Sequence, residues 1–117
     1  MLTQDDVDRF ATLSGDDNPI HVDPEFAART PFGRTISHGM LLYGAICGAL
    51  SRSFPGAQQI EQELAFPHPT YAGEEVTLRL AVTEIAPGGA AWIDTAVIKP
   101  DGSEGCRGKT LVRWPQG

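Results

Sequence analysis

The chain has 117 residues, enough for one domain with a modest core that partner surface in an oligomer would help complete. Its hydrophobic fraction is 41% and its charged fraction 21%, values that fit a globular protein and exclude a disordered acidic tail. Nine Lys and Arg against 15 Asp and Glu give a formal net charge of −6, so neither nucleic acid nor an anionic membrane surface is an expected partner.

Thr3 predicts an N-cap for a helix over about 4–14, with Asp5 and Asp6 in its first turn and Gly15 ending it. The start of the chain is acidic and polar, unlike a signal peptide. Gly15-Asp16-Asp17-Asn18-Pro19 reads as a dense turn, followed by a brief extended piece, Ile20-His21-Val22. Asp23-Pro24 opens a short helix to about Arg29. A connecting loop, 30–37, leads into a long apolar helix over 38–53 that should be buried nearly all round. Gly44 and Gly48 fall on one face of it, and close approach of a sheet backbone is the expected reason. No run of 18 apolar residues suggests a membrane span.

Beyond Pro55-Gly56 the pattern alternates. Strands are predicted around 60–66, 76–83, 90–98 and 106–114, with turns at Ala72-Gly73-Glu74, Pro87-Gly88-Gly89 and Asp101-Gly102. Helices first and antiparallel strands last predict an α+β fold in which a meander wraps the central helix. The chain reads as a single domain over residues 1–117.

Asp16 and His21 stand five apart across a turn, a pair that can activate water and shuttle a proton. The same two residues also suit an ordinary turn and a surface position. Gly39 begins the long helix, where amide N–H groups lack intrahelical partners and could stabilise a carbonyl gaining charge. His21, His38 and His68 are scattered along the chain without metal-ligand spacing, so no metal is expected. Cys47 and Cys106, too few for a disulfide scaffold, suggest a reducing, cytoplasmic setting, while leaving a bond between them open.

The stretch from Phe10 through Gly15-Asp16-Asp17-Asn18-Pro19-Ile20-His21 to Pro24 resembles the signature of the MaoC-like hydratases, or (R)-specific enoyl-CoA hydratases. Phe32-Gly33-Arg34-Thr35-Ile36-Ser37-His38-Gly39-Met40-Leu41, and later Leu64-Ala65-Phe66 and Tyr71-Ala72-Gly73-Glu74, continue the likeness. The resemblance implies a hot-dog fold, an antiparallel sheet around a long helix, paired as a homodimer. It implies reversible syn hydration of a trans-2-enoyl thioester, on CoA or acyl carrier protein, to the (R)-3-hydroxyacyl thioester, without cofactor. Asp16 and His21 match the catalytic pair, Asn18 a residue holding their loop, and Gly39 the backbone donor to the thioester carbonyl. Met40, Leu41, Phe66 and Tyr71 are candidates to line the acyl channel, although core packing would equally use them. Relatives open with an additional strand, whereas this sequence begins close to its first helix, so an open or partner-covered sheet edge is expected. A non-catalytic acyl-thioester binding module and an acyl-CoA thioesterase are the alternatives.

Overall fold

A computed structural model describes residues 2–115. Helix α1 spans Gln4–Ser14. The Thr3 hydroxyl accepts from the Asp6 N–H, the Asp6 carboxylate accepts from the Thr3 N–H, and Gly15 closes the helix at φ 79°. Two short helices follow, α2 (Pro19–Val22) and α3 (Pro24–Ala28). Residues 20–22 are thus helical, not extended. Asn18 accepts from the Ile20 N–H and Pro19 takes the first helical position, which is enough to start one turn.

The long helix α4 (Gly39–Ser53) packs on four antiparallel strands: β1 (Gln58–Ala65), β2 (Thr77–Ala86), β3 (Ala90–Ile98) and β4 (Glu104–Arg113). The order across the sheet is β1-β4-β3-β2. Strands β2, β3 and β4 form the expected meander, while β1 joins β4 at the far edge. Between β1 and β2 the chain carries Pro67 and Pro69, which have no N–H to give a ladder, and it crosses to the opposite edge there. The result is an α+β hot-dog arrangement.

Leu42, Ile46 and Leu50 project from one face of α4 onto Ala91, Ile93 and Val97 of β3 and Cys106 and Val112 of β4. Burial is therefore one-sided rather than all round, with Met40 and Gly44 exposed. A Cβ on Gly44 would meet nothing within 4 Å, and one on Gly48 would meet only the Arg52 guanidinium, at 3.2 Å. The sheet therefore does not approach these glycines. Close approach occurs instead at Gly108, where a Cβ would run into the Glu63 carbonyl of β1, and at Gly105, against the Thr70 hydroxyl. Among the described residues no helix is long and apolar enough to cross a membrane.

Two loops are laced together at the start of α4. The Ser37 N–H donates to the Thr70 carbonyl at 2.7 Å, the Ala72 N–H to the Thr35 carbonyl at 3.1 Å, and Ile36 bridges Tyr71. Buried Lys99 secures the second loop by donating to the Pro69 carbonyl at 2.7 Å.

Candidate active site

A cleft of about 620 Å³ opens where α1, α2, the start of α4 and residues 66–70 meet. Asp16, His21 and Gly39 all line it, so the turn and the helix start face one space. Phe10, Phe32, Ile36, Met40, Leu42 and Phe66 give the remainder a mostly apolar wall.

His21 is fixed from both its backbone and its ring. The Ile36 N–H donates to the Ile20 carbonyl at 3.1 Å, and the Gln4 side-chain amide donates to the His21 carbonyl at 2.9 Å. The ring atom Nδ1 lies 2.9 Å from the Ile36 carbonyl, which can only accept, so Nδ1 carries the proton. Nε2 of the neutral ring is therefore a free lone pair, and it faces Asp16 Oδ2 at 3.8 Å. The Asp16 side chain is 57% exposed and that of His21 only 12%, so the carboxylate stands at the mouth and the imidazole in the wall. Asn18 caps α2, the turn of helix on which His21 rides.

At the other side, His38 holds the N-cap position of α4 but makes no capping bond with its side chain, leaving the helix start uncapped. Gly39 brings that end close to Phe66, since a Cβ there would lie 2.9 Å from ring atoms Cε1 and Cζ.

The structure also corrects the reading of scattered histidines. Asp16, His21 and His38 bring ligand-type atoms within 4.8 Å of one another. The two imidazoles stack with centroids 3.9 Å apart and planes 24° from parallel, so their lone pairs run side by side and do not converge. His38 Nε2 is engaged with the Asp16 carbonyl at 2.7 Å. This donor set is poorly shaped for a metal.

Met40 and Phe66 line the cleft, whereas Leu41 and Tyr71 do not. Leu41 lies about 200° round the helix from Gly39. Tyr71 sits instead between the Arg34 and Lys99 cations, each 4.9 Å from its ring centre. The sequence points to His38-Gly39 as a helix start but gives no role to the His38 side chain, and it does not point to Gln4. Nothing local marks either, because each acts across a long stretch of chain.

Similarity to known proteins agrees with the geometry. Residues 1–98 match the MaoC like domain. The chain is 39% identical over 113 residues to the (R)-specific enoyl-CoA hydratase of Aeromonas caviae, covering 94% of this chain and 84% of that one. It is 42% identical over 88 residues to the 3-hydroxybutyryl-CoA dehydratase of Methylorubrum extorquens, covering 74% of this chain but only 56% of that one. The solved (R)-hydratase from A. caviae superposes with a TM-score of 0.93 at 37% identity, covering 97% of this chain and 89% of that one. The fold and cleft define a hot-dog protein of the hydratase/dehydratase class. The chain belongs to the MaoC-like dehydratase family, close to its (R)-specific enoyl-CoA hydratases.

Proposed function

We propose that the protein catalyses reversible syn hydration of trans-2-enoyl thioesters, carried on CoA or acyl carrier protein, to (R)-3-hydroxyacyl thioesters. The observation that carries this reading is the free Nε2 of His21 facing Asp16 Oδ2 across 3.8 Å, in the cleft that also holds the uncapped start of α4. A water between the two side chains donates one hydrogen bond to each. As its oxygen bonds to C3, the water's O–H breaks and His21 Nε2 takes the proton. The C2–C3 π pair moves toward the thioester carbonyl, whose developing charge meets the Gly39 N–H and the positive end of α4. His21 then returns the proton to C2 on the same face, and the charge collapses back. Asp16 orients the water and offsets the imidazolium charge. The addition is redox-neutral: the water's hydroxyl ends on C3 and its proton passes through His21 Nε2 to C2. Met40 and Phe66 supply apolar wall for the acyl chain.

The reading includes a homodimer, with a second copy covering the open side of the cleft. Met40 and Phe66 are 53% and 46% exposed in the single chain, a large apolar surface beside a site. Sedimentation showing only a 12.6 kDa species at micromolar concentration would remove the dimer from the reading.

Incubation with crotonyl-CoA and chiral analysis of the product tests the activity directly, with (R)-3-hydroxybutyryl-CoA expected. Release of free CoA thiol from a saturated acyl-CoA would make the protein a thioesterase instead. Binding of acyl-CoA with no turnover of any thioester would make it a binding module.

A further inference from the structure

His38 is 3% exposed, and its side chain forgoes the cap that its position at the head of α4 offers. The ring instead reaches back to the turn before α2. Its Nε2 lies 2.7 Å from the Asp16 carbonyl, an acceptor, so Nε2 bears a proton and donates it to that bond. One face of the ring carries His21 at 3.9 Å, and Phe10 meets the ring edge-on at 4.8 Å. Nδ1 has no partner and is buried. A second proton on Nδ1 would place an N–H where nothing accepts it, and a cation directly against the ring of His21. The other titratable groups lining the cleft are Asp16 and His68.

We propose that His38 is the positioning residue of the site, clamping the Asp16 backbone with Nε2–H while its ring supports the face of His21. This inference rests on the hydration reading above. One side chain then sets the spacing of the water-binding pair and joins that pair to the start of α4. Because the side chain is spent on the clamp, it is not spent on the helix end, whose N–H groups stay open to a substrate carbonyl. His38 touches neither substrate nor water in this role.

The test compares His38→Phe, which keeps a ring and loses the donor, with His38→Gln, which keeps an N–H donor and loses the ring. Displacing a reacting pair by about 1 Å can cost about 10²-fold, so His38→Phe should lower kcat for crotonyl-CoA by up to roughly that factor with KM nearly unchanged. His38→Gln should recover at least about tenfold of the loss, because its amide can donate to the same carbonyl. A folded His38→Phe with wild-type kcat overturns the proposal, as does an equal loss in both variants accompanied by equal loss of thermal stability. Nitrogen NMR of the wild-type histidine rings decides the matter even if neither variant folds. His38 should carry a proton on Nε2, as its bond to the Asp16 carbonyl requires. A His38 that carries its proton on Nδ1 and not on Nε2 also overturns it. If the wild-type protein hydrates no enoyl thioester, the hydration reading fails, while the ring spectra still report on the clamp.

Discussion

His21 Nε2 and Asp16 Oδ2 lie 3.8 Å apart, beyond a direct hydrogen bond and within the span that a single water bridges. A tight contact would have bound the pair to each other. The gap leaves each with unused capacity directed at a third molecule, and it exists because separate anchors hold the two residues. The Ile36 carbonyl holds the imidazole by Nδ1, and His38 holds the backbone of Asp16.

Removing either member should therefore silence the chemistry without unfolding the chain. Asp16→Asn and His21→Ala are each expected to lower crotonyl-CoA hydration by about 10²–10⁴-fold. Circular dichroism should stay native, since Asp16 is largely exposed and His21 lies outside the buried hydrophobic cluster. Wild-type turnover in both folded variants would refute the assignment.

Asn18 acts one step further out. Its side chain caps α2 through the Ile20 N–H at 3.0 Å, so Asn18→Ala should cost about 1 kcal/mol of stability, whereas Asn18→Asp should cost almost nothing. Because the capped turn carries His21, kcat should fall in the alanine variant and be retained in the aspartate one. Thermal melts read beside steady-state rates would separate the two effects.

Two glycines give opposite expectations. At Gly39 a Cβ would press on the far end of the Phe66 ring, which can swing aside, so Gly39→Ala should cost about 1 kcal/mol or less of stability yet strongly impair turnover. Adding Phe66→Leu should restore the stability. At Gly108 the obstacle is the Glu63 carbonyl, part of the neighbouring strand, and Gly108→Ala should cost about 3 kcal/mol or more by parting β1 from β4. Urea unfolding of the three variants provides the comparison.

The first helix has a pH-dependent cap. Hydrogen bonds from the Thr3 backbone and side chain hold the Asp6 carboxyl below its ordinary value. A carboxyl with a depressed folded-state pKa stabilises the fold above its unfolded pKa, and that stability disappears as pH falls through the folded value. The melting-temperature advantage of wild type over Asp6→Ala should therefore be full near neutrality and shrink in acid below the usual carboxylate range. An advantage independent of pH would show that the box contributes nothing through ionisation.

Signals confined to a few neighbouring residues were legible in the sequence. Thr3 and Gly15 bounded α1, Asp23-Pro24 opened α3, and Asp101-Gly102 turned β3 into β4, with the Gly102 N–H donating to the Lys99 carbonyl. Asn18-Pro19 carries the same cap-and-proline signature as Asp23-Pro24, but a four-residue helix is too short to show a period, and the sequence of residues 20–22 suggests an extended piece instead. Asp16, His21 and Gly39 were legible as a motif, and the fold brings them to one cleft. What could not be read was set by distant partners. The pairing of β1 with β4, the exclusion of Leu41 and Tyr71 from the cleft, and the outward face of Gly44 each depend on where other elements settle. The arc from His38 back to Asp16 leaves no local trace at all.

The bond from His21 Nδ1 to the Ile36 carbonyl has a consequence for reversibility. In the proposed reaction the ring would exchange a proton with substrate at Nε2 alone while Nδ1 stays anchored, so it would need no flip between hydration and dehydration. On that reading the site would be arranged alike for either thioester, and the relative abundance of the two would decide which way material flows.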